Sequence, residues 1–233
     1  MRVLLTRPQE GAEVFADRLR ALGHQALSVP LLRVRFHDGE PLALDGVQGV
    51  LVTSANGVRA LVRRTERRDL PVFAVGPQTA RAAKKAGFGR VEHADGDAVA
   101  LAEALPRWAR AEAGALLHAA GAPGASRLAS LLAAKGYEVP TAFLYDVAAL
   151  SVLPQDVVGA LTGGSLDAAL FFSPRSAGVF RDCILNAGLA NACGRLIAIC
   201  ISQGAAGARA PLSFREIRVA ARPNQDALLA CLG

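Results

Sequence analysis

The first half of the sequence has no cysteine, and the four in the second half, Cys183, Cys193, Cys200 and Cys231, form no CxxC pair. That spacing gives a thiol-ligated metal no foothold, so these side chains are expected to be small buried hydrophobes. Long apolar runs are also missing. None approaches the roughly 18 to 20 residues of a membrane span, and Arg2, Arg7 and Glu10 interrupt the start where a signal peptide needs a continuous apolar core, so a cytoplasmic chain without membrane contact is expected. Aromatic residues make up only 5% of the chain, too few for the stacking surfaces that nucleic-acid binding or a flavin ring would use. Neither GxGxxG, nor a Walker loop, nor HExxH, nor GxSxG occurs, and His24, His37, His93 and His118 stand singly with no ligand spacing. Hydride transfer, phosphoryl transfer, zinc hydrolysis and serine acyl transfer therefore lack their usual parts.

Basic residues exceed acidic ones, 26 against 20, for a formal charge of +6. They are scattered except at Lys84-Lys85 and at Arg63-Arg64 and Arg67-Arg68, which read as a solvated loop after a helix. A small polyanion fits this balance at least as well as nucleic acid. The 52% hydrophobic fraction is that of a well-packed protein, and 233 residues suffice for one large core or two modest ones.

The residues from Val50 to Phe88 state one unit twice: an apolar strand, a small polar turn, then an amphipathic helix. Val50–Val52 leads into Ser54, Asn56 and Gly57, then Val58, Leu61 and Val62 at helical spacing. Val72–Val75 leads into Gly76, Pro77, Gln78 and Thr79, with Ala80 and Ala83 facing inward and Arg81, Lys84 and Lys85 outward. The same grammar returns about 115 residues later, where Ser173–Val179 echoes Thr53–Val58 and Cys200–Gly207 echoes Ala74–Arg81. Val3–Leu5 and its helix match Ala115–Leu117 and its helix. Asp97–Leu105, with Asp97 as N-cap, matches Asn224–Leu232. Two copies of one α/β half, joined near Arg110–Gly114, are predicted, each with a parallel sheet covered by helices.

The remaining segments fill in this frame. Ala12, Phe15, Leu19 and Leu22 form one helix face. Leu31–His37 is expected to leave the first domain as a connecting strand, and Val139–Leu150 to mirror it with Tyr145. Asp167–Phe172 reads as a fully buried strand. The candidate chemistry lies in the strand-to-helix turns: Ser54, Asn56 and Gly57; Gly76, Gln78 and Thr79; Gly121, with the turn running to Gly124; Ser173 and Ser176; Ser202 and Gln203. Free N–H groups in such turns bind carboxylates, although the same residues serve as ordinary helix caps. Arg7 follows a strand end, where it is either a ligand anchor or a surface charge. Tyr145 is either a site residue or a packed strand tyrosine.

In sequence order, LLTRP, VTSANGV, AVGPQTARAA, GDAVALAEAL, the tyrosine of the second connecting strand, FFSPRSA and PNQDALLACL together resemble the uroporphyrinogen-III synthase family over nearly the whole chain. The resemblance implies two flavodoxin-like parallel-sheet α/β domains joined by a two-stranded connecting ladder, with halves exchanged: residues 1–33 and 149–233 in the first, 34–148 in the second. It implies cyclisation of the linear tetrapyrrole hydroxymethylbilane to uroporphyrinogen III, with inversion of ring D and loss of water, by a monomer with no metal or organic cofactor. Transient contact with the enzyme that supplies the substrate belongs to the same expectation. Tyr145 aligns with a family tyrosine that assists hydroxyl departure, and Thr79, Ser54 and Ser173 with family hydroxyls. The chain departs from the family at Ala205, Ala206 and Ala120, where threonines and an arginine are common; Ser202, Gln203 or backbone groups stand in. Bulky apolar groups at Gly57 and Thr79 are expected to weaken substrate binding and leave the fold intact. A non-enzymatic two-domain protein binding a small polyanion, and a flavodoxin-like cofactor module, are the alternatives.

Overall fold

The computed structural model describes residues 1–7, 11–121 and 126–233. Among them are twelve strands: β1 (Arg2–Leu5), β2 (Gln25–Ser28), β3 (Leu32–Phe36), β4 (Val47–Val52), β5 (Val72–Ala74), β6 (Val91–His93), β7 (Ala115–Ala120), β8 (Thr141–Phe143), β9 (Tyr145–Ala149), β10 (Ala168–Phe171), β11 (Ile197–Cys200) and β12 (Glu216–Val219). The α-helices are α1 (Ala12–Ala21), α2 (Ala55–Leu61), α3 (Pro77–Lys85), α4 (Ala98–Ala104), α5 (Arg127–Ala133), α6 (Gln155–Thr162), α7 (Pro174–Asn186), α8 (Gln203–Ala208) and α9 (Gln225–Ala230).

The chain divides into two compact units, one formed by Met1–Arg33 with Ala148–Gly233, the other by Val34–Val147. The first holds the parallel sheet β12-β11-β10-β1-β2 and so draws strands from both ends of the chain. Taken in chain order this is 2-1-3-4-5, the flavodoxin order. The second holds β6-β5-β4-β7-β8, which gives the same order once β7 is counted as the first strand. One sheet plan thus appears twice, circularly permuted in the second unit.

The inner strands of both sheets are buried on both faces, which is why β5, β10 and β11 read as unbroken apolar runs, while the edge strands β2, β6 and β12 are polar and half-buried or exposed. Along β1, Val3 and Leu5 face one core with Phe15 and Leu19 of α1, while Leu4 faces the other with Val157, Phe171 and Phe180. Along β4, Val50 and Val52 face α2 and α3, and Leu51 faces Leu101, Leu128 and Leu132 of α4 and α5. Each fully buried side chain of this size contributes about 1.5 to 3 kcal/mol. Cys183, Cys193 and Cys200 lie in the first unit's core as small hydrophobes, and burial pushes the Cys193 and Cys200 thiols up to about 11.

Several expectations need correction. Val139–Leu150 is two strands rather than one: β8 joins the second unit's sheet beside β7, and β9 pairs with β3. The change happens at Leu144, whose N–H donates to Ala120 O at 3.0 Å while its carbonyl accepts from His37 N at 2.8 Å. With Leu150 N donating to Leu31 O, the second contact makes β3 and β9 an antiparallel ladder. Leu22 is 56% exposed because it caps the end of α1 instead of continuing its buried face. Phe172 lies one residue past β10 and is only half-buried. The arginine cluster is not simply solvated: Arg64 donates to Glu40 O, Arg68 to Ala86 O and Thr65 O, and Arg63 lies 4.3 Å from the Phe36 ring centroid. These cations pin loops.

Candidate functional site

In a doubly wound sheet the ligand edge is where successive connections leave in opposite directions, at the carboxyl ends of the two strands between which the order reverses. In the second unit those strands are β4 and β7, and in the first β1 and β10.

At the β4 end, Ser54 adopts extended backbone and its Oγ accepts from Gly57 N at 3.1 Å, capping α2. Gly57 lies against β7 so closely that a Cβ there would stand 2.8 Å from Ala119 O. A bulky group at Gly57 would force the start of α2 off β7, so the expectation that it spares the fold does not hold. At the β7 end, Gly121 faces the Tyr145 ring, with the position of a Cβ 3.2 Å from Cζ and 3.4 Å from Oη. The rest of that turn lies outside the described residues. Tyr145 begins β9 and is 8% exposed. Its ring belongs to the same apolar cluster as Val52, Val58 and Leu144, and its hydroxyl meets Ser54 Oγ at 2.7 Å. Ser54, Gly57, Gly121 and Tyr145 therefore converge at the reversal point.

The neighbouring turn, at the β5 end, holds Gly76, Gln78 and Thr79. Gly76 caps α3 without a side chain, Pro77 takes the first helical turn, Gln78 is exposed and Thr79 is buried. Asn56 turns instead to Arg59, whose guanidinium donates to its side-chain oxygen.

In the first unit, Arg7 follows β1 and Phe172 follows β10, and the guanidinium carbon lies 5.4 Å from the Phe172 ring centroid. With its amide oxygen turned inward, Gln225 at the start of α9 accepts from both terminal nitrogens of Arg7, at 2.9 and 3.3 Å. Burial lowers the Arg7 pKa from its ordinary value, and among the described residues no carboxylate pairs with it. A partly desolvated cation held by neutral groups retains capacity for an anion. Next to it, Ser173 and Ser176 form a reciprocal capping box for α7: Ser173 Oγ accepts from Ser176 N at 3.1 Å and Ser176 Oγ from Ser173 N at 3.2 Å. Ser176 is 2% exposed, so its hydroxyl serves the turn. Ser202 caps α8 through Ala205 N at 3.3 Å, and Gln203 is exposed. A Cβ at Gly204 would meet Pro174 at 3.3 Å, which brings the two turns side by side.

Sequence reasoning did not single out Phe172 or Gln225. Only the place of Phe172 just beyond a strand end, shared with Arg7, and that of Gln225 at a helix start could have signalled them.

The family model described as Uroporphyrinogen-III synthase HemD matches residues 13–230. The chain belongs to the uroporphyrinogen-III synthase family. Among solved structures, uroporphyrinogen-III synthetase from Helicobacter pylori superposes with a TM-score of 0.62 at 16% identity, covering 100% of this chain and 98% of that one. A mutant uroporphyrinogen III synthase from Thermus thermophilus gives 0.57 at 20% identity, covering 100% and 97%. At such identities these likenesses establish the fold. A curated relative from Methanocaldococcus jannaschii, provisionally named as a uroporphyrinogen-III synthase, is 32% identical over 96 residues, 39% of this chain and 40% of the relative's own length. Among the described residues no helix is long and apolar enough to cross a membrane.

Proposed function

We propose that this protein closes hydroxymethylbilane to uroporphyrinogen III, inverting ring D and releasing water, and that it works as a cytoplasmic monomer with residues 1–33 and 149–233 in one domain and 34–148 in the other. The observation that carries the reading is the contact of the Tyr145 and Ser54 hydroxyls at the reversal point of the second unit's sheet.

The chemistry asks little of acids and bases and much of positioning. Loss of hydroxide from one terminal pyrrole is driven by the ring nitrogen's electron pair and leaves a delocalised azafulvenium cation. The departing oxygen takes a proton from Tyr145 Oη and leaves as water. The pyrrole at the other end attacks through its already substituted carbon, giving a spiro centre that reopens and recloses inverted. A proton lost from that ring's carbon on rearomatisation balances the one Tyr145 gave. The protein's larger task is to hold a flexible polyacid so that this attack beats the simpler uninverted closure. Arg7 is suited to anchor one carboxylate, since among the described residues its guanidinium meets only the neutral groups Gln225 and Phe172. The N–H groups of the turns at Gly76–Thr79 and Ser202–Gln203 supply further donors, with the side chains of Gln78, Thr79, Ser173 and Gln203 beside the turns.

The test is turnover of hydroxymethylbilane generated in situ by its supplying enzyme, followed by isomer analysis of the product. Accelerated formation of the inverted isomer is expected. A product no different from the uncatalysed, uninverted one would refute the reading.

A further inference from the structure

We propose that Ser54 presets Tyr145 as a proton donor, giving its own hydroxyl proton to Tyr145 Oη so that the phenolic proton stays free for the leaving hydroxyl. The inference rests on the role given to Tyr145 above. It makes Ser54 a positioning residue instead of a direct substrate contact.

The available protons set the direction of the contact. Ser54 Oγ has one proton to give, and its partners among the described residues are Gly57 N at 3.1 Å and Tyr145 Oη at 2.7 Å. Gly57 N–H can only donate, so Oγ accepts there. If Tyr145 also donated to Oγ, the serine proton would lack an acceptor among these partners and the phenolic proton would be consumed. If Ser54 donates, each group in the chain Gly57 N–H to Oγ, Oγ–H to Oη is satisfied, and the phenolic proton is left over. Chains of this kind polarise their members in one direction, so the same contact that frees the proton also stabilises charge on Oη as the proton leaves.

Two glycines maintain the geometry. Gly57 lets α2 approach β7, since a Cβ would stand 2.8 Å from Ala119 O, and so fixes the N–H that holds Ser54. At Gly121 a Cβ would stand 3.4 Å from Oη, so the glycine puts no side chain of its own against the hydroxyl. When the substrate's C–O bond breaks, the proton on Oη moves to the leaving oxygen and the Oγ–H bond remains on the phenolate. That proton is replaced from the ring carbon deprotonated at closure.

The test is a double-mutant cycle on hydroxymethylbilane turnover with wild type, Ser54→Ala, Tyr145→Phe and the double variant, plus Ser54→Thr. Ser54→Ala should lower kcat about tenfold, the value of one hydrogen bond to a charged group, with little change in KM. Ser54→Thr should restore kcat, and in the Tyr145→Phe background Ser54→Ala should cost nothing further. Loss of the helix cap alone would not produce that non-additivity. Should Ser54→Ala fail to fold, Ser54→Gly removes the hydroxyl with the substitution an N-cap tolerates best. Unchanged kcat in folded Ser54→Ala or Ser54→Gly, losses that multiply in the double variant, or a rise in KM alone would each overturn the inference while leaving the functional reading intact. A wild type without turnover would overturn both.

Discussion

Tyr145 is held by its ring and presents its edge: the ring packs with Val52, Val58 and Leu144, while the hydroxyl meets Ser54. Replacing it by phenylalanine should keep the packing and lose the proton. General acid assistance is worth roughly a hundred- to ten-thousandfold, and the leaving group here is already activated by the pyrrole nitrogen. Tyr145→Phe should therefore lose much of its kcat, with the surviving product still mainly the inverted isomer. A shift to the uninverted isomer would mean that the tyrosine steers the substrate instead. Arg7 has the opposite character, a cation lowered in pKa by burial and held by Phe172 and Gln225, with no carboxylate partner among the described residues. Arg7→Gln should raise KM roughly tenfold or more while leaving kcat near wild type, since hydrogen bonds to charged groups are worth about 1.5 to 3 kcal/mol. Unchanged KM in steady-state kinetics would reduce Arg7 to a structural charge.

The β3–β9 ladder carries a titrating pair, His37 and Asp146. His37 Nε2 faces Asp146 Oδ2 at 3.1 Å and Nδ1 faces Phe143 O at 3.2 Å, so both ring nitrogens point at acceptors and the doubly protonated ring satisfies both. Asp146 also accepts from Arg35 Nε at 2.9 Å. The Asp146 hydrogen bond, then the Phe143 carbonyl, raise the His37 pKa, while His37, then Arg35, lower that of Asp146. A raised histidine stabilises fully below its unfolded value, about 6.5, and the gain is lost as pH rises through the higher native value. A lowered carboxylate contributes above its unfolded value, about 3.9, and loses its share as pH falls through the native one. The ladder is thus best held from about pH 4 to 6.5. The melting temperature of wild type should fall relative to His37→Gln as pH rises above about 6.5. Parallel pH profiles would show that the pair contributes nothing. The groups are exposed, so the difference will be small and will shrink with salt.

On the scale of the whole molecule, Val34–Val147 is a continuous segment with its own five-stranded sheet and cores on both faces, whereas the other unit needs both ends of the chain. Residues 34–147 expressed alone should unfold cooperatively in denaturant. Residues 1–110, the first sequence repeat, should not, because β7 and β8 would be missing from one sheet and β10 to β12 from the other. A cooperative 1–110 fragment would contradict the exchange of halves.

Much of this architecture is legible in the order of residues along the chain. Strands of a parallel sheet buried on both faces must be apolar throughout, and helix starts need Ser, Asn, Asp or Gly. The repeated units from Val50 to Phe88, the caps at Ser54 and Asp97, and the inward Ala80 and Ala83 follow from local rules. Tertiary structure alone decided which turns meet. Ser54 and Tyr145 are 91 residues apart, and only the insertion of β4 beside β7 joins them. Arg7, Phe172 and Gln225 meet because β1 pairs with β10, a contact that no periodicity encodes. The break at Leu144 was hidden for the same reason: β8 and β9 share one β-prone run, and its division depends on which partner strand each part finds. Sequence sets the period and polarity of each segment, but long-range strand pairing, which depends on burial against the rest of the chain, sets the neighbours that make a site.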